Sequence, residues 1–228
     1  MMIKILFEFK IQMEFQVAKS VTKSRIVEAA IEVFLEKGYD AATIRDICEK
    51  AGANLASVNY HFGSKDALRT AALESIMAAI TESYPLTNSA DASSPEDRLR
   101  LFIRNLLRRI FPSDSEHARR SRLFWMELGN PSRALEPQVE RFMRPIKNSL
   151  EAIVTDIIGP ADSETLRLCV GSIVGQQLFH AQNRAMMNQL YSEKMYLQED
   201  VDTLAEHIFI FSIAGLRALK AHHEAHGK

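Results

Sequence analysis

A helix is stopped and restarted three times between Gly38 and Ser64, and this punctuation constrains the chain more than any other feature of its sequence. Before it, Ile26, Ala29, Ala30, Val33 and Phe34 form one apolar helix face, and Gly38 follows as a C-terminal stop. Thr43-Ile-Arg-Asp46 has the form of a capping box, a hydroxyl at the N-cap with a carboxylate three residues on, although Asp reaches back less well than Glu. Ile44, Ile47, Cys48 and Ala51 make a short apolar face, and Gly52 ends that helix after about two turns. Asn54 is a good N-cap for a third short helix through about His61. Ser64 caps a fourth, predicted over about Lys65–Ser83 and ended by Pro85. A short helix, a glycine-containing turn and another short helix are the parts of a helix-turn-helix.

The rest of the chain reads as further helices. Ser94 and Pro95 open one that stops before Pro112, and others are predicted over about Ser115–Leu128, Leu135–Ile158 with a kink at Pro145, Ser163–Asn183 and Asp200–His222. Residues 3–17 differ. Ile3, Ile5, Phe7, Phe9, Ile11, Met13, Phe15 and Val17 take the odd positions and mostly polar residues the even ones, which predicts a half-buried strand. No partner strand is visible, so the segment is expected to pair with a second copy, lie on the helical body, or form a loose tail or start-codon artefact, with Met13 close to where the helical period begins. The fold class is therefore all-α: an N-terminal three-helix bundle holding the helix-turn-helix, and a larger C-terminal helical bundle. The expected divisions are an extension over 1–18, the helix-turn-helix over 19–66, a connecting helix over 67–86 and the C-terminal bundle over 87–228.

Charge limits the function classes. The formal net charge is −1 and the pI about 6.7, so the chain cannot coat nucleic acid non-specifically, and any DNA binding must come from local placement of cations. Residues 1–84 carry 10 Lys and Arg against 11 Asp and Glu. Lys19, Lys23, Arg25, Arg45 and Lys65 are expected toward DNA, and the stripe Glu28, Glu32, Glu36 on another face. Cys48 and Cys169 read as buried small hydrophobes in a reducing cytoplasm. The longest uncharged run, Leu168–Asn183, is 16 residues and contains Gln176, Gln177 and His180, too short and too polar for a membrane span. No phosphate-binding glycine loop, Gly-x-Ser-x-Gly or His-Glu-x-x-His is present, so no catalytic and no metal-binding residue is assigned. The tail His222-His223-Glu-Ala-His226 has metal-like spacing but is expected to fray.

The stretch Ala51-Gly-Ala-Asn-Leu-Ala-Ser-Val-Asn-Tyr-His-Phe-Gly-Ser-Lys65 resembles the DNA-binding signature of the TetR family of transcriptional regulators. Gly38-Tyr39, Thr43-Ile-Arg45 and Ile47 match in order and spacing, so the likeness covers about residues 21–70. Three positions depart: Asn59 where the family commonly has Tyr, Val58 where it has Leu, and Ala56 where it has a glycine. The variant is similar to a subgroup ending Asn-Tyr-His-Phe. Gly175-Gln-Gln177-Leu-Phe179 and the run from His207 through Phe211 and Gly215 resemble the family more weakly.

The residues support DNA contact on their own terms. A recognition helix must enter a groove about 12 Å wide, so its outer side chains should be small or polar. Leu55, Ala56, Ser57, Asn59 and Tyr60 suit this, with Asn59 able to bond a base edge and adenine its usual partner. Ser57, Tyr60, His61 and Lys65 can reach phosphates, as can Arg45, which can also reach a base. Thr43 and Asn54 complete the DNA-binding set as caps. Leu55 reads equally as a core contact and His61 as a packed aromatic.

One module makes a small interface, so a homodimer on a palindromic operator of double-stranded DNA is expected. Gly171, Gly175, Leu204, Ile208, Phe211, Gly215 and Leu219 are its candidate interface. The resemblance implies an unknown small-molecule effector held in the C-terminal bundle and no other cofactor. Candidate lining residues are Phe102, Phe124, Trp125, Met126, Gln176, Phe179 and His180, for which core packing is the preferred reading. Arg100, Arg104 and Arg108 form a basic stripe, a solvated face or an anion contact. The expectation is a cytoplasmic, ligand-responsive regulator, a repressor by preference. The alternative, a helical ligand-binding protein or enzyme keeping the motif as scaffold, calls for an acidic or covered recognition face.

Overall fold

The structure, a computed structural model, describes residues 2–86, 94–112, 114–191 and 200–226. Among these residues the regular structure is helical throughout. The period-two segment does not form a strand: its backbone is helical and continuous with residues 18–37, in a single helix α1 (Met2–Lys37). A helix closes its own N–H···O=C bonds along the segment, whereas a strand without a partner leaves them open. The expected boundary at 18/19 therefore falls inside one helix.

The chain divides into two compact units, residues 1–77 with 119–138 and residues 78–118 with 139–228. The expected boundaries at 66/67 and 86/87 do not coincide with this division. In the first unit α1 packs on α2 (Ile44–Ala51), and α2 on α3 (Leu55–Phe62). Ile26, Ile31, Phe34, Ile47, Val58 and, from α4 (Lys65–Ser83), Leu68 are buried in this unit.

The later part of α6 (Ser115–Gly129) belongs to this unit because its charges are spent there. Arg120 stands 2.7 Å from Glu28, and Arg119 hydrogen-bonds Glu32. That bond holds the Glu32 carboxyl below its usual range. Lys50 pairs with Glu36, so the whole acidic stripe is neutralised internally.

In the second unit α5 (Pro95–Ile110) packs on α11 (Val201–His226) and on α8 (Arg144–Ile158), and α8 on α9 (Ser163–Gln182). Leu99, Phe102, Ile103, Leu107, Leu150, Val154, Ile173 and Ile208 are buried together. The helix expected over 135–158 is broken into a 3-10 turn (Arg133–Leu135), a short α7 (Glu136–Gln138), a π-helical turn (Val139–Met143) and α8. Pro145 explains the break: it has no N–H to donate, and its ring excludes the carbonyl of residue 141, so the turn upstream widens.

A short α10 (Arg184–Leu190) follows Asn183 and was not expected. The helix α11 continues through His226, past its expected end at His222. Cys48 and Cys169 are buried free thiols. Among the described residues no helix is long and apolar enough to cross a membrane.

Candidate nucleic-acid interface

Local hydrogen bonds fix the helix-turn-helix residue by residue. The Asp46 N–H donates to Thr43 Oγ1 at 3.1 Å, and the Thr43 N–H donates to the Asp46 carboxylate at 2.9 Å, a complete capping box. Hydrogen bonds from Lys37 and Thr43 hold Asp46 at a pKa of about 2. Gly52 has φ +57°, a left-handed conformation that glycine adopts without strain, and the Ala53 N–H closes the end of α2 on the Cys48 carbonyl. Asn54 Oδ1 accepts the Ser57 N–H at 2.8 Å and starts α3. Asn54→Ala is expected to cost about 1 kcal/mol in urea denaturation, the usual worth of a cap.

Val58 is buried and anchors α3, while Leu55, Ala56, Asn59 and Tyr60 are exposed on it. Leu55 is 56% exposed and Tyr60 69%, so Leu55 is not the core contact its chemistry allows. Ser57, His61 and Lys65 are half-buried. The His61 ring stands 5.2 Å from Tyr60 and 6.1 Å from Phe62, as a packed aromatic would. The Thr43 hydroxyl accepts from the Asp46 N–H and donates to its carboxylate, so it is engaged in the cap of α2, on which Arg45 is exposed.

Cations flank this face. Lys19 Nζ donates to the Tyr60 hydroxyl at 2.8 Å and lies 4.8 Å from the ring centroid, which brings α1 beside the outer end of α3. Lys23 and Arg25 are exposed nearby in sequence. Lys65 Nζ lies 4.3 Å from the Tyr39 ring centroid and donates to the Asp40 carbonyl. Arg69 stacks on the same ring at 4.0 Å and pairs with Glu127 at 2.6 Å. Burial and the hydrogen bond to Asp66 push the Tyr39 hydroxyl up to a pKa of about 12. The sequence reading missed Arg69 and Glu127. Only Gly38-Tyr39, already part of the family likeness, pointed there.

The candidate effector residues fall in both units. Phe124, Trp125 and Met126 belong to the first, where Phe124 is buried with its ring 6.0 Å from Trp125 and Met126 is exposed. Phe102, Gln176, Phe179 and His180 belong to the second. Phe102 is core, Phe179 is largely exposed, and burial and the neighbouring His207 pull the His180 pKa down. Only Gln176 of this set lines the groove between α9 and α11, a space of about 390 Å³.

That groove is also lined by Phe211, Gly215 and Leu219. Gly171 and Gly175 are exposed, with open space where a Cβ would stand. Ile208 and Leu204, by contrast, turn to the unit's own core and not outward as expected. The Arg100–Arg104–Arg108 stripe is paired: Arg100 with Glu206, Arg104 and Arg108 with Asp202. No group of three metal-ligating side chains occurs among the described residues.

An exposed, capped recognition helix with cations beside it, and acids folded into internal pairs, defines a helix-turn-helix DNA-binding protein. The model of the tetR family of bacterial regulatory proteins matches residues 26–72. That of the C-terminal domain of the HTH-type transcriptional dual regulator CecR matches residues 95–216, more than half of the chain. The chain belongs to the TetR family of transcriptional regulators, with a C-terminal domain of the CecR type.

It is 23% identical over 182 residues to a Bacillus subtilis protein described as "Probable HTH-type transcriptional regulator YttP", covering 78% of this chain and 83% of that one. It is 27% identical over 128 residues to IcaR of Staphylococcus epidermidis, the negative transcriptional regulator of the biofilm operon icaADBC, covering 56% of this chain and 64% of IcaR. Its fold is similar to that of Bacillus subtilis FadR in complex with stearoyl-CoA, with a TM-score of 0.63 at 18% identity, covering 84% of this chain and 98% of that one.

Proposed function

We propose that the chain is a cytoplasmic, ligand-responsive repressor that binds a palindromic operator as a homodimer. The observation that carries this reading is the exposed face of α3, with Ala56 and Asn59 outward and Val58 anchored in the core. Asn59 reads a base edge, Leu55 contacts a thymine methyl, and Arg45, Ser57, Tyr60, His61 and Lys65 hold phosphates. Thr43 and Asn54 set the two helices, and the Asn-Tyr-His-Phe ending is that of the subgroup the chain resembles. Two such heads would read half-sites roughly 34–36 Å apart. A small effector in the second unit lowers operator affinity by preferring the arrangement that does not fit both half-sites. IcaR's role as a negative regulator and FadR's complex with stearoyl-CoA support the repressor and effector parts.

A mobility shift on the promoters of its own and the adjacent operon, across salt concentrations, tests the reading. No specific shift, with or without candidate effectors, would sink it. Lys65→Ala is expected to weaken binding evenly across sequences and lower the salt slope by about 1. Asn59→Ala is expected to cost about 1–3 kcal/mol and relax preference at one base position. Indistinguishable effects from the two variants would contradict these roles.

A further inference from the structure

The second unit holds a cavity of about 180 Å³, walled by Thr81, Leu86, Arg109, Phe142, Pro145 and Ile146. It has room for roughly six waters at about 30 Å³ each, or a compact organic group. Most of the wall is apolar. Its polar side chains are Thr81, Arg109, Arg141 and Ser149.

Arg109 is 8% exposed, and among the described residues no carboxylate stands within ion-pair distance of it. Among the described residues its hydrogen bond runs from Nε to the Tyr84 carbonyl at 2.5 Å, which uses one of five guanidinium donors. The other arginines of α5 all have acids: Arg98 pairs with Asp156, Arg100 with Glu206, and Arg104 and Arg108 with Asp202. Burial with no offsetting acid pulls the Arg109 pKa down to about 10. Also on the wall, Thr81 Oγ1 is buried and has no hydrogen-bond partner among the described residues. Both groups are costly as they stand. The π-helical turn supplies Phe142 to the wall, and Arg141, on the same turn, stacks over that ring at 5.3 Å.

We propose that this cavity binds the anionic group of a small organic acid, a carboxylate or a phosphate, with Arg109 as its ion partner, the Thr81 hydroxyl donating to it and the apolar wall holding its carbon body. The guanidinium fork matches either oxyanion. The proposal rests on the effector reading only for what the site is for.

Calorimetric titration and thermal unfolding of the full chain test it with benzoate, phenyl phosphate, inorganic phosphate and benzamide, the neutral isostere of benzoate. Benzoate or phenyl phosphate is expected to bind and raise the Tm, and the tighter of the two identifies the anion. Benzamide should bind about tenfold more weakly or worse. Arg109→Met should abolish anion binding and leave the Tm of the free protein unchanged or higher, because an apolar side chain replaces a desolvated cation. Arg109→Gln, which keeps a donor for the Tyr84 carbonyl, should also lose the anion.

The proposal is overturned if none of the three anions binds at millimolar concentration, or if benzamide binds as tightly as benzoate. It is also overturned if anion binding survives in R109M or in R109Q. A mobility shift run in parallel separates the two readings. Operator binding by wild type and R109M with no anion binding sinks only the anion site. Arg109-dependent anion binding with no operator binding sinks only the regulator.

Discussion

Arg69→Met is expected to remove roughly 3–5 kcal/mol of stability, the cost of leaving a buried charge without its partner. Glu127 is 2% exposed. Its carboxylate is held by Arg69 at 2.6 Å, by the Ser132 N–H at 2.7 Å and by the Ser132 hydroxyl at 2.5 Å. Without Arg69 the two Ser132 donors remain, but no cation among the described residues does. A folded domain is stable by about 5–15 kcal/mol, so the variant should lie near the edge of folding.

The reverse change is milder. In Glu127→Gln, Arg69 keeps the Tyr39 ring at 4.0 Å and remains partly open to solvent. The double variant should cost less than the two single changes added, because each removes the same pair. Urea denaturation of the three proteins decides it. Equal small losses from both single changes would mean that the pair is solvated in solution.

What could be read from the sequence here was local. The caps at Thr43 and Asn54 and the turn at Gly52 are closed by partners within five residues, so a short window contained their whole cause. The exposed face of α3 came from the same window, where Val58 and Phe62, four apart, are expected to turn inward; Val58 is buried and Phe62 half-buried. The N-terminal segment failed for the opposite reason: period two describes a strand only when a second strand exists, and that is not a property of the segment.

Arg69 and Glu127 look like ordinary solvated helix charges until the chain brings residues 58 positions apart into contact. Arg109 was hidden beside a basic stripe. Arg108 is an exposed partner of Asp202, and one residue on, about 100° around the helix, the same side chain type is buried without an acid among the described residues. Burial and partner, which decide what an arginine is for, are tertiary facts.

Phe211→Asp is expected to give a monomer whose operator affinity is lower by a factor of about 10³ or more. Phe211 is 68% exposed beside the equally outward Ile210, and Leu168 and Leu219 are also exposed on the α9–α11 side of the unit. Gly171, Gly175 and Gly215 present bare backbone there, with room for another helix to approach closely. A stable interface needs about 1,200–2,000 Å² in total, and a two-fold axis through this face would place two copies of the same apolar strip together. A carboxylate at residue 211 would then be buried twice, facing its own copy.

The DNA consequence comes from interface size. On the proposed reading one head would contact the operator through a single module of about 600–1,000 Å², and the affinity left to it would approach the non-specific range of about 10⁻⁴–10⁻⁶ M, against about 10⁻⁸–10⁻¹¹ M for a specific pair of heads. Phe211→Tyr keeps the ring and should keep the dimer. Sedimentation velocity and operator titration on the two variants make the comparison. A Phe211→Asp protein that stays dimeric at micromolar concentration and binds operator as wild type would move the interface elsewhere on the chain.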